Sequence, residues 1–239
     1  MKTANFRQGL NVTLGVAALL VGLLGHGQAY SAQSKLPETT PEGLKLMPNT
    51  KASAVYLRDG ADFSGYDKVA ILDCYVAFRK DWKRDQNQGA NPFRVSDSDM
   101  TKIKTQLADQ FKKTFTRELT AKGQTMVTAV GPGVLILRPA IINLDVVAPD
   151  TMRPGSRTFS TSAGQATLLL EVYDSVTSDL LARVYDVESI GESNFIQVQN
   201  GVTNRAEADQ VLTKWARQLA TYLEHARGAA KPDAKPSKP

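Results

Sequence analysis

Cysteine occurs once in the 239 residues and histidine only twice. The lone Cys74 excludes an internal disulfide framework. It lies in the apolar run 69–78 and reads as a small buried hydrophobe rather than a nucleophile. With His26 near one end and His225 near the other, there is no His pair, Cys pair or HExxH to hold a transition metal. A Ser-His-Asp or Cys-His arrangement would need His225, which stands beside Glu224 and Arg227 and reads as a solvated helix-end side chain. GxSxG, P-loop and GxGxxG patterns are missing, and Gly131-Pro132-Gly133 is a turn too short to cradle a phosphate. No metal, no cofactor and no enzymatic activity are therefore expected.

Long apolar runs are also scarce. The longest, residues 14–24, has about eleven residues where a bilayer span needs about twenty. Lys2 and Arg7 precede it, and Ala29 and Ser31 follow with the spacing of a cleavage site. This is the pattern of a cleavable secretory signal peptide over residues 1–31, which predicts a periplasmic protein without a membrane span. Outer-membrane association stays open. No cysteine stands just after the run, Cys74 being far downstream, so lipidation is not expected. The formal net charge of +5 is dispersed, which gives no basis for nucleic-acid binding. With 42% hydrophobic residues the chain can bury a core without a staple.

Residues 32–52 carry Pro37, Pro41 and Pro48 and read as an extended linker. Residues 228–239 are an Ala/Lys/Pro tail with little to bury. Between them, 53–227 reads as one domain. A short strand is expected at 55–57, and a firm strand at 68–78. The helix at 97–122 is opened by Ser96 with Asp99 and stopped by Gly123. Strands follow at 125–130 and 134–147, with Pro139 implying a bulge or an edge position. A hairpin pairs 165–174 with 180–188; Ala166, Leu168, Leu170 and Val172 share one face, and Thr167, Leu169, Glu171 and Tyr173 the other. A last helix spans 205–227 with Asn204 as its N-cap. Each helix has a single apolar stripe. The pattern predicts an α+β two-layer sandwich, with two long helices on one face of a four- to five-stranded, mixed, largely antiparallel sheet.

The runs AVYLRDGADFSGYDKVAILD, FRKDWKRD, RVSDSDMTKIK, VLILRPAIINLDVVAPDTM, AGQATLLLEVYDSVTSDLLARV and VTNRAEADQVLTKWARQLATYLEHA resemble the DUF3313 family over most of 52–227. The resemblance implies an exported bacterial envelope protein, in a family with many predicted lipoproteins. It carries no activity and no catalytic residue. Cys74 stands where many members have proline. Ser178 stands where a glycine is usual in the hairpin turn, which leaves the turn type open.

Two loops are candidate binding surfaces. Arg79, Lys80, Trp82, Lys83 and Arg84, with Arg94 further on, group five cations around one indole, a pattern able to hold an anionic wall polymer or lipid headgroup. The alternative is a solvated loop with Trp82 tucked inward. The loop 148–164 adds Arg153 and Arg157 and exceeds the length a simple connection needs. A third loop, 190–204, receives no role. The leading expectation is a non-catalytic envelope module that binds a protein, wall polymer or lipid. One alternative is a homo-oligomer assembled by sheet-edge pairing. The other is an envelope hydrolase, which needs Asp73 and Asp145 to converge in a cleft.

Overall fold

The computed structural model describes residues 36–88, 94–146, 158–160, 164–190, 197–199 and 201–229. All but Leu36 belong to the unit Pro37–Pro239. The signal peptide, Arg153 and Arg157, and the tail beyond Ala229 lie outside the described residues.

The long strand β6 (Val134–Val146) organises the sheet. On one side it pairs antiparallel with β8 (Gly164–Asp174), which pairs with β9 (Leu180–Ile190), then β2 (Ala54–Leu57) and β1 (Lys45–Leu46). On its other side it runs parallel to β3 (Lys68–Ile71) and then to β4 (Tyr75–Phe78). The two-residue β5 (Thr125–Met126) lies outside β3. A second, two-stranded sheet pairs β7 (Thr158–Ser160) with β10 (Gln197–Gln199), inside stretches expected to be loops.

The sheet is thus α+β and mixed, as expected, but it has eight strands rather than four or five. Two differences add strands to those expected. The single strand 68–78 is broken at 72–74 into β3 and β4, while the strand expected at 125–130 is present as the two-residue β5. The stretch expected to be an extended linker belongs to the fold. Its prolines are spaced widely enough for Leu44 to be fully buried and for β1 to form. It crosses the sheet as a strap, closed by the bridge between Thr39 and Lys45.

Pro139 sits within central β6, not at an edge, and β6 meets Leu170 on the β8 side there. The carbonyl of Leu137 faces β3, where it accepts the Leu72 N–H at 2.9 Å. Two residues on, Pro139 addresses the same side, at the gap between β3 and β4, so its missing N–H breaks no ladder. The bulge lies further along, between Ile142 and Asp145, where Asn143 takes a left-handed φ of 52°.

The long helix α2 (Asp97–Ala121) begins with the expected reciprocal cap: Ser96 Oγ accepts from the Asp99 N–H, and the Asp99 carboxylate accepts from the Ser96 N–H. The last helix, α3, runs Gly201–Ala229, so Asn204 lies inside it instead of capping it. A short third helix, α1 (Trp82–Gln86), occupies the expected loop. Five residues leave no room for an apolar repeat that periodicity could detect.

Both long helices pack on one face of the sheet. Phe111, Phe115 and Leu119 of α2 and Leu212, Trp215, Ala216, Ala220 and Leu223 of α3 share a core with Ala166, Leu168, Leu170 and Val172 of β8. The even residues of β8 therefore face the helices, as the alternation requires. Asp186 ties the layers together: its buried carboxylate accepts from Ser53 N–H and Oγ and from Trp215 Nε1 at 2.9–3.0 Å. The strap closes a second, smaller core on the opposite face, where Leu44 packs with Ala54, Tyr56 and Leu180.

Candidate functional site

The cation-rich stretch 79–94 is neutralised from within. Arg79 bridges Asp85 at 2.7 Å and Asp145 at 2.8 Å. Those bonds, first to Asp85 and then to Asp145, raise its pKa further, and Arg79 holds the Asp85 carboxyl below its usual range. Lys83 pairs with Asp97 at 2.7 Å, and Arg84 with Asp81 and Asp85. Arg94 donates to the Asn87 carbonyl. Lys80 is exposed and is in no ion pair among the described residues.

Trp82 offers no plate to a ligand. It is 1% exposed and stacks on Phe78 with ring centroids 4.0 Å apart; its Nε1–H donates to the Val146 carbonyl at 3.1 Å. The indole belongs to the packing, and the stacking role proposed for it from sequence is corrected accordingly. Of the acids that occupy these cations, Asp81 and Asp85 lie within the run and Asp97 just beyond it, and only Asp145 is distant in sequence.

Asp73 and Asp145 do not converge. Asp73 is 96% exposed at the β3–β4 junction, 3.4 Å from Lys112. Asp145 is at the far end of β6 with Arg79. The registers place them about six residues apart along β6, roughly 20 Å at strand rise. Cys74 is buried, and burial pushes its thiol up to about 12, which leaves no thiolate nucleophile.

The sheet's other face is more informative. Opposite the helices, cross-strand neighbours form continuous rows. One runs Tyr75, Ala140, Leu169, Tyr185, Ala54; the next runs Ile142, Thr167, Val187; a third runs Arg138, Glu171, Arg183, Tyr56. The strap covers the β2 and β9 side of these rows. There Leu44 is buried and Glu42 forms a two-pronged bond to Arg183 at 2.9 and 3.0 Å. Arg183 also holds the buried Glu171 at 2.7 Å, and the Tyr173 hydroxyl donates to the same carboxylate. The Arg183 bonds hold Glu42 down at about 2. Beyond the strap the cover is partial: Leu72 and Val187 are each 46% exposed and Tyr75 is 65% exposed, Ile142 and Leu169 are half-buried, and Thr167 between Ile142 and Val187 is buried.

Sequence reasoning missed this surface. Its signal was present: β6 is apolar at both odd and even positions, and Leu169 and Val187 interrupt the polar side of the hairpin. A strand with apolar residues on both faces is a strand covered on both.

These observations define a helix-on-sheet α+β module with a strap across part of its open face. Residues 41–219 match the family described as "Protein of unknown function (DUF3313)", and the chain belongs to that family. No curated protein matches the chain. Solved structures that it resembles are remote. A protein of the DUF330 family from Xanthomonas campestris is 9% identical, with a TM-score of 0.39, 71% of this chain and 90% of that one being covered. The PelC dodecamer from Paraburkholderia phytofirmans is 11% identical at a TM-score of 0.35, covering 69% and 96%. A minor lipoprotein from Acinetobacter baumannii is 10% identical at 0.31, covering 66% and 94%. Among the described residues no helix is long and apolar enough to cross a membrane.

Proposed function

We propose that this protein is a non-catalytic module of the bacterial cell envelope that binds a protein partner on the open face of its sheet. The observation that carries the reading is the group of exposed apolar residues Leu72, Tyr75 and Val187, with half-buried Ile142 and Leu169, on this face beside the strap. Exposed apolar side chains grouped on one face mark interaction sites. The strap indicates what fits: a polypeptide that buries an aliphatic side chain, as Leu44 does, and offers a carboxylate, as Glu42 does. Arg138 adds a cation beyond the strap, with a side chain 65% exposed although its guanidinium lies 3.5 Å from the Glu171 carboxylate. A polymer or headgroup bound by the 79–94 loop is disfavoured because its arginines, and Lys83, are already engaged. An acid–base hydrolase is disfavoured by the separation of Asp73 and Asp145.

Retention of the full-chain protein on isolated envelope fractions tests the reading. Val187→Asp is expected to lose retention, while the triple change of Lys80, Lys83 and Arg84 to Ser leaves it intact. Loss with the cation variant but not with Val187→Asp returns the site to the loop and overturns the proposal. So does retention equal to wild type in both, or no retention of wild type at all.

A further inference from the structure

We propose that β4 is a self-association edge, on which a second copy of this chain adds its own β4 antiparallel about a two-fold axis. The inference goes beyond the open-face reading and stands or falls separately from it.

Among the described residues β4 pairs with β6 on one side and with no strand on the other. The sheet's two other outermost strands, β1 and β5, have two residues each, too short to template a partner. The four residues Tyr75-Val76-Ala77-Phe78 are uncharged and lack proline, and Tyr75, Val76 and Phe78 have strong β preference. None of the usual devices that blunt an edge is within them. The bulge at this level belongs to β6, where three steps from Ile141 to Leu144 oppose two from Val76 to Phe78, so β4 itself stays regular.

The register follows from the backbone. Arg79 N–H donates to the Leu144 carbonyl of β6. Residues 75 and 77 share that direction, and 74, 76 and 78 turn their N–H and C=O groups outward. A two-fold axis normal to the sheet keeps the helices of both copies on one side, and it requires opposed residues to share a face. Centring it on Val76 opposes 76 with 76, 75 with 77 and 74 with 78. Each large ring then meets a small side chain, Tyr75 over the mate's Ala77 and Phe78 over the mate's Cys74. The ends agree in charge as well. Asp73 at the start of the segment falls beside Arg79 and Lys80 at the end of the mate's, and this occurs twice by symmetry. Asp73 is 96% exposed with only a 3.4 Å contact to Lys112, and Lys80 is in no ion pair among the described residues.

Sedimentation of the full-chain protein over a concentration series tests the edge. Wild type is expected to show a monomer–dimer equilibrium. Asp73→Lys replaces two attractions by two repulsions and should weaken the dimer about tenfold or more. The double variant Asp73→Lys with Lys80→Asp should recover it. Both positions are exposed, so the far-ultraviolet circular dichroism of each variant should match wild type. A wild-type protein that stays monomeric throughout overturns the proposal, as does a dimer insensitive to Asp73→Lys or not recovered by the double variant. Tyr75→Cys with Ala77→Cys in a Cys74→Ala background checks the register. Opposed residues of a non-hydrogen-bonded pair lie about 4.5 Å apart at Cα, within disulfide range, so mild oxidation should give a covalent dimer. A covalent dimer that fails to form where sedimentation shows association overturns the Val76-centred pairing.

Discussion

Removing the Trp82 side chain separates packing from binding at the candidate loop. The indole is fully buried, stacked nearly parallel to Phe78, and bonded to the Val146 carbonyl. Truncating a buried aromatic to alanine costs about 3–5 kcal/mol, through lost transfer energy and the cavity left behind. Two structural facts place Trp82→Ala in the lower half of that range. Val146 keeps a second donor, Gln86 Nε2 at 3.2 Å, so its carbonyl is not orphaned. The indole also comes from a five-residue helix that can settle partly into the space, rather than from α2 or α3. The expected loss is about 3–4 kcal/mol, read as a fall in the urea midpoint at unchanged slope. For a domain of this size that corresponds to a melting temperature lower by roughly 6–16 °C. Trp82→Phe, which keeps a ring on Phe78 and drops the N–H donor, should cost about 1 kcal/mol. The reasoning is refuted if Trp82→Ala changes stability by less than about 1 kcal/mol yet abolishes retention on envelope fractions.

Two further perturbations test the strap and the hairpin. Glu42 has its pKa lowered from 4.5 to about 2, first by the Arg183 side chain, then by its own backbone and Thr40. A depressed carboxylate contributes stability above its unfolded pKa and loses it as pH falls through the folded one. The melting-temperature difference between wild type and Glu42→Gln should thus favour wild type above pH 5 and shrink between about 4.5 and 2, other lowered carboxylates cancelling because both proteins share them. A difference that is constant down to pH 2 would show that Glu42 does not hold the strap through its charge. Ser178 adopts φ 61° in the β8–β9 turn, the left-handed region, and its N–H donates to the Asp174 carbonyl. Ser178→Gly keeps that backbone bond and relieves about 1–2 kcal/mol of strain, less glycine's added unfolded entropy, for a net gain of about 0.5–1 kcal/mol. Loss of stability in chemical denaturation would contradict this account of the turn.

What could be read from the chain were the features fixed by near neighbours. The Ser96–Asp99 cap needs three residues of spacing, and the face assignment of β8 needs only alternation. Ser178 shows the limit of a local reading. The turn holds a serine in the left-handed region because the Asp174 carboxylate accepts from the N–H groups of Val176 and Thr177 and braces the loop. Features set by distant partners were not legible. Pro139 reads as a bulge or an edge position because nothing local reveals the β3–β4 gap beside it. Of the bonds that engage the loop cations, the one from Arg79 to Asp145 spans 66 residues and has no local signal. The lead-in looked extended because its prolines outweighed Leu44, whose burial depends on Tyr56 and Leu180.

The same distinction bears on two surfaces, the open face and the β4 edge. An antiparallel sheet with helices on one face ordinarily shows polar side chains on the other. Here β6 and the hairpin carry Ile142, Leu169 and Val187 on that side, and the strap covers only the part near β2. Solubility alone would favour charge at those positions, and the fold's own core does not use them. The strap shows how a polypeptide is held on this face: a buried leucine, an ion pair to Arg183 and strand pairing with β2. The partly covered rows end at Tyr75, which is also the first residue of the unpaired edge. Pairing two such edges would join the open faces of two copies into one surface of doubled width. A partner bound there would then engage both copies, and its affinity would depend on the integrity of β4 as well as on Val187.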